Sequence, residues 1–216
     1  MPRKIDYADR GDLIVDSVCR IVLRGGLPAL SLRAVAGEIG MSPSSLLHQF
    51  DNRARLLSVS AAKVGAARTR YATWACHQRG PVGLLPRRPD DLDRARVWLA
   101  FVELARSEQD VAEVVAHIRD EERQILMRTT LLDAGAPELV ALAALIDGLL
   151  SGMTAGRDPL PLECAERALA LHLHHTGLAL ERQARVVDER STTTDPPPGD
   201  GPGDGAPPPV GPARVR

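Results

Sequence analysis

Aromatic side chains are scarce in this 216-residue chain: Tyr7, Phe50, Tyr71, Trp74, Trp98 and Phe101 make up 3% of it, while Ala, Leu, Val and Arg dominate. That poverty disfavours a sheet-rich fold, which draws on aromatic and β-branched residues, and favours helices. Cysteine is rare too. Cys19, Cys76 and Cys164 cannot all pair and include no CxxC, which disfavours a disulfide framework or a zinc ribbon and suits a reducing compartment. The longest charge-free apolar run, Ala168 to Leu180, has 13 residues with three histidines, short of the about 20 a membrane span needs. The first twenty residues carry eight charges and no apolar stretch, so no secretory signal is expected. GxSxG, GxGxxG, HExxH and P-loop signatures are missing, and solvation explains the acidic pairs Asp90-Asp91 and Glu121-Glu122, so no catalytic residue is assigned. The expectation is a soluble, cytoplasmic protein, not an enzyme, with no cofactor and no membrane partner.

Charge and turn-forming residues are present but unevenly placed. Residues 1–79 hold 12 basic and 6 acidic side chains, whereas residues 80–216 hold 15 and 22, so the net charge of −1 hides a basic head on an acidic body. Such a head suits a polyanion, because cationic side chains displace phosphate counterions. Of 35 Gly and Pro residues, 13 fall in the last 29. From Asp188 onward no apolar periodicity survives, and a disordered, partly polyproline tail is expected.

Between these ends the spacing is helical. Leu13, Ile14, Val18, Ile21 and Val22 mark a first helix, stopped by Gly25-Gly26. Ser31 is an N-cap ahead of LRAVAGEIG, and Gly40 suits a left-handed C-terminal position. Ser42-Pro43 opens a third short helix through Phe50, and Asp51 or Asn52 caps a fourth, Arg53 to about His77. A loop, QRGPVGLLPRRP, precedes a helix from Pro89 to about Gln109. Two helices, Asp110 to Ala116 and Ile118 to Asp133, are expected next. Two more, about 137–156 and 161–185, are apolar over most of their circumference and must be covered on more than one side. A homodimer formed through this pair is the economical solution. The alternative is that one monomer's core covers both.

The informative segment is Ser31 to Phe50. Two short helices joined around Gly40-Met41-Ser42 read as a helix-turn-helix, with Ala36 small where the second helix crosses it and Val35, Ile39 and Leu46 as shared core. In that geometry the N-terminus of the second helix enters the DNA major groove, and SPSS supplies short polar side chains there. SLRAVAGEIGMSPSSLLHQFDNRARLL resembles the DNA-binding domain of TetR-family transcriptional regulators, which share G-[VM]-S-x-x-x-L-Y-x-x-F-x-x-[KR]-x-x-L. WLAFVELARSEQDVAEV resembles the start of the family's BetI-like ligand-binding branch, and LIDGLLSGMTAGRDPLPLECAERAL its dimerisation helices.

The resemblance implies an all-α fold with three parts: a three-helix helix-turn-helix domain (residues 1–52), a helical ligand-binding and dimerisation domain (53–187), and the tail (188–216). It implies a ligand-responsive regulator binding a double-stranded operator, a repressor released by a small molecule. The alternative is a dimeric small-molecule-binding module without specific DNA binding. Ser42, Pro43, Ser44 and Ser45 occupy the start of the recognition helix, with Ser44, Ser45 and His48 facing base edges. Ser31, Arg33 and Arg53 fall where the family touches phosphates. Leu47 replaces the family's tyrosine, exchanging a phosphate hydrogen bond for an apolar group suited to a thymine methyl.

For the effector cavity the candidates are Tyr71, Trp74, Trp98, Phe101, Val102, Met127 and Met153, which favour an apolar or aromatic ligand. His172 and His175 lie one helical turn apart, but no nearby cysteine or carboxylate completes a metal set, Glu181 being further along. They are read as structural, and the three cysteines as inert thiols. Truncation after Val187 is expected to leave folding and self-association unchanged by circular dichroism and sedimentation; loss of either would show that the tail is needed.

Overall fold

Glycine and capped-serine punctuation divides the chain into helices much as the spacing predicts. The computed structural model describes residues 7–177, in which the regular elements are all helical. They are α1 (Tyr7–Gly25), α2 (Leu32–Glu38), α3 (Pro43–Phe50), α4 (Arg53–Arg79), α5 (Pro89–Leu104), α6 (Gln109–Thr130), α7 (Pro137–Met153) and α8 (Leu162–His175). The expected tail and the residues of the predicted last helix beyond 177 lie outside the described residues.

Three of the expected boundaries change, the first being that α5 ends at Leu104 rather than near Gln109. The break foreseen near His117 does not occur, and α6 runs unbroken from Gln109 to Thr130. No glycine or proline interrupts it, and Val111, Val115, Ile118, Ile125 and Leu126 are buried at helical spacing along its length. The last helix stops at His175 rather than near residue 185: the Thr176 hydroxyl donates to the His172 carbonyl at 2.8 Å, and Gly177 adopts φ +74°, a left-handed stop.

The helices gather into two compact units. The first comprises residues 7–70 and Arg88–Glu122. Its core is continuous from Ile14 and Val18 of α1, through Val35, Ala36, Leu46 and Phe50, to Leu56 and Leu57 of α4, Trp98 and Phe101 of α5 and Val111 of α6. Of the N-terminal helices, α1 packs directly against α5, and α2 and α3 join the same core. The Arg68 guanidinium lies 5.5 Å from the Trp98 ring centroid and pairs with Glu122. Asp91, buried in the first turn of α5, accepts from the Arg88 backbone N–H at 3.1 Å and from Arg94 Nη1 at 2.9 Å.

The second unit comprises Tyr71–Arg87 and residues 123–177. Leu139, Leu142, Ile146, Leu149, Leu150 and Met153 form the buried face of α7; Ala165, Leu169 and Leu173 form that of α8. Apolar residues also remain exposed on the outer faces: Val140, Ala141, Ala144 and Gly148 on α7, and Cys164, Ala168 and Leu171 on α8, the latter interspersed with exposed Glu163, Arg167 and His174. Arg87 pairs with Glu166 of α8. The chain between α4 and α5 folds tightly because Gly83 has no side chain, since a Cβ there would lie 2.4 Å from the Ala75 carbonyl oxygen. Gly83→Ala is therefore expected to lower stability by about 1–3 kcal/mol in urea unfolding; an unchanged midpoint would show that this turn yields freely.

Candidate nucleic-acid interface

The turn between α2 and α3 is set by backbone geometry. Gly40 adopts φ +68°, and the Met41 N–H reaches back to the Ala36 carbonyl at 2.9 Å. Each following helix then starts from a serine cap. Ser31 Oγ accepts from the Ala34 N–H, and Ser42 Oγ from the Ser45 N–H, both at 3.1 Å, with Pro43 in the first turn of α3. The Ser42 hydroxyl also shares hydrogen bonds with Ser44 Oγ (2.9 Å) and Ser45 Oγ (2.8 Å), so three hydroxyls cluster at the helix entrance.

Helical register sorts the rest of α3. Leu46 is fully buried and Phe50, one turn on, is buried with it, whereas the adjacent Leu47 is 45% exposed. Ser44, Leu47 and His48 share the outer face, and Ser45 beside them is exposed too. Arg33 on α2 is exposed. Asn52, rather than Asp51, caps α4: its Oδ1 accepts from the Arg55 N–H at 2.8 Å. Arg53, the first residue of α4, is exposed, and its Nη1 donates to Glu108 Oε1 at 2.7 Å. All nine residues singled out on the sequence at this end thus lie at or next to the N-termini of α2, α3 and α4, or on the outer face of α3.

Other charges hold the motif together. Glu38 at the end of α2 accepts from Arg20 Nε at 2.9 Å and from Arg24, both on α1, and this pairing holds its carboxyl below the usual range. Neither this clamp nor the Arg53–Glu108 pair carries a sequence signal, because the partners are 14, 18 and 55 residues apart.

The ligand candidates divide between the units. Trp98 and Phe101 are fully buried in the core of the first, with Val102 packed against it; Tyr71, Trp74, Met127 and Met153 belong to the second. The Tyr71 and Trp74 ring centroids are 5.8 Å apart. A separate open groove of about 560 Å³ lies in the first unit between α4 and α6. Arg55, Ser58, Ala62 and Ala66 line one side, and Asp110, Glu113, Val114, His117, Ile118 and Glu121 the other. None of the seven candidates lines it.

Among the described residues no group of histidine, cysteine and carboxylate side chains is placed to hold a metal ion, and no helix is long and apolar enough to cross a membrane. The His172 Nε2 atom is buried without a hydrogen-bond partner. Cys19 and Cys76 are buried and Cys164 is exposed. Burial foremost, with Asp16 adding to it, pushes the Cys19 thiol up to about 12, which keeps it protonated and unreactive at neutral pH.

Residues 82–178 match the family model for the C-terminal domain of BetI-type transcriptional repressors. No curated protein matches the chain by sequence. Among solved structures, a TetR-family transcriptional regulator from Rhodococcus sp. superposes with a TM-score of 0.67 at 19% identity, covering 77% of this chain and 98% of its own. A transcriptional regulator from Saccharomonospora viridis, solved with choline, gives 0.67 at 19% identity over 78% and 97%. The multidrug-binding protein EbrR, solved with ethidium, gives 0.58 at 19% identity over 76% and 98%. At these identities the likeness is one of fold.

The clamp makes α2 placement pH-dependent. A carboxyl held below its unfolded value of about 4.3 stabilises the fold above that pH and ceases to do so as pH falls through the lower folded value. Wild type is thus expected to be more stable than Glu38→Gln at about pH 7 and to lose that margin below about pH 4, read from urea unfolding across the range. Equal stability at neutral pH would remove the clamp from the account.

Proposed function

We propose that this chain, whose residues 82–178 match the BetI-type repressor C-terminal model and whose helix-turn-helix segment resembles that of TetR-family regulators, is a homodimeric repressor released from its operator by a small molecule. The observation that carries the DNA-binding half is the division of α3: Leu46 and Phe50 inside, Ser44, Leu47 and His48 outside, and a serine-rich capped N-terminus at its tip. A helix so presented fits its leading end into the major groove. Ser44, Ser45 and His48 are assigned to base edges, Leu47 to a thymine methyl, and Ser31, Arg33, Ser42 and Arg53 to the flanking phosphates. Pro43 pre-sets the first turn.

The dimer is assigned to the outer faces of α7 and α8, which leave Val140 and Leu171 in water in the single chain. Two-fold symmetry then implies a near-palindromic operator. Of the effector candidates, Tyr71, Trp74, Met127 and Met153 of the second unit are assigned to effector binding, whereas Trp98 and Phe101 serve the core of the first unit and Val102 packs against it. A regulator of this fold solved with choline and the multidrug-binding protein EbrR solved with ethidium support an organic ligand, both of those being organic cations, for which aromatic side chains are apt. The effector releases DNA only so far as it prefers the non-binding conformation. A cytoplasmic, non-enzymatic protein fits this role. The competing reading, a dimeric ligand-binding module without operator recognition, draws on Leu47 replacing the phosphate-binding tyrosine.

Selection of bound fragments from a random duplex library by the purified protein, followed by salt titration, separates the two. A regulator is expected to bind a two-fold site and lose affinity steeply as salt rises, with Arg53→Ala weakening all sequences and lowering the slope by about one charge. An unchanged slope in Arg53→Ala removes its phosphate role; failure to bind any duplex at low salt removes the regulator.

A further inference from the structure

Arg53 stands at the leading end of α4, three residues after α3 ends at Phe50, and its charge is already answered within the chain. Glu108 is the last residue before α6, and its carboxylate accepts from Arg53 Nη1 at 2.7 Å across 55 residues of sequence. The backbone holds Glu108 firmly. Its N–H donates to the Leu104 carbonyl at 3.1 Å, and its own carbonyl receives the N–H groups of Val111 (3.1 Å) and Ala112 (3.0 Å). The acidic residue is therefore fixed on the turn between α5 and α6, and it is the longer Arg53 side chain that has freedom to leave. Both side chains remain partly exposed, 43% for Arg53 and 30% for Glu108. A pair so placed is weak in water and easily exchanged.

We propose that Glu108 competes with DNA phosphate for Arg53, so that the α5–α6 turn sets the affinity of the DNA-binding face. The proposal rests on the DNA-binding reading above. A phosphate that takes Arg53 must displace the carboxylate, and the released carboxylate then repels the phosphate within a Debye length of about 8–10 Å. Both effects weaken binding, so Glu108 restrains the interface and does not merely orient it. Its place at the head of α6 gives the restraint a handle. Asp110 and Glu113, in the first turns of the same helix, line the groove opposite Arg55 of α4. A displacement of the start of α6 along α4 changes how tightly Arg53 is held, and with it the affinity for DNA, without touching α3.

A double-mutant cycle tests this on the full chain, with folding of each variant checked by circular dichroism. Glu108→Gln is expected to tighten duplex binding several-fold at about 0.1 M salt and to steepen the salt dependence by up to about one charge. Glu113→Gln, which removes a carboxylate on the same helix that does not pair with Arg53, is expected to change affinity far less. In an Arg53→Ala background, Glu108→Gln is expected to add nothing. Binding that is unchanged or weaker in Glu108→Gln overturns the competition, as does a gain that persists without Arg53, since that would be general charge repulsion. A wild-type chain that binds no duplex at low salt overturns the DNA-binding reading itself, and the competition with it.

Discussion

The burial of Leu46 and Phe50 is the constraint on which the candidate interface depends. These two residues, one turn apart, tie α3 into a core that continues through α1, α4, α5 and α6. With one stripe of an eight-residue helix committed to that core, rotation about the helix axis is set, and Ser44, Leu47 and His48 have only the outward side to occupy. Burying a leucine and a phenylalanine together is worth several kcal/mol, roughly 1.5–3 each, well above the hydrogen-bond exchanges among Ser42, Ser44 and Ser45. Packing therefore orients the helix, and the serines satisfy its exposed N-terminal N–H groups without steering it.

Charge acts at a second level. The basic surplus of residues 1–79 is not a uniform positive surface. Arg20 and Arg24 are engaged by Glu38, Lys63 by Asp12, Arg68 by Glu122 and Arg53 by Glu108. Each exposed pair contributes little stability by itself, but together they decide which cations meet an anion from solution and which must first be released. Arg33, on the exposed side of α2, and Arg53, held by a turn at the head of α6, belong to different classes in this respect, although both are simply arginines near a helix start in the sequence.

Much of the helix plan was legible because its determinants act within one turn. Ser31 and Ser42 as caps, Pro43 in the first turn and Gly40 at positive φ each follow from hydrogen bonding or steric freedom within three or four residues, and each is found. The outward stripe of α3 is likewise a matter of 3.6-residue spacing. Where the reading went astray, the local signals were weak. No residue compels a break near His117, so the fully hydrogen-bonded α6 continues. Gly177, by contrast, follows the end of α8 at His175 with a left-handed turn. The aromatic list shows the same limit: periodicity identifies Trp98 and Phe101 as inward-facing but cannot tell core from cavity wall, and the structure buries both in the core of the first unit.

By itself, the sequence determined that the chain is helical, where its short N-terminal helices begin and turn, and which side chains of α3 are left for a partner. Those are consequences of neighbours along the backbone. Only the tertiary structure decided which charges are answered and which helices share a core. The partners concerned, Arg53 with Glu108 and Arg87 with Glu166, are 55 and 79 residues apart, and contacts at such separations depend on how whole helices stack, which no local spacing encodes.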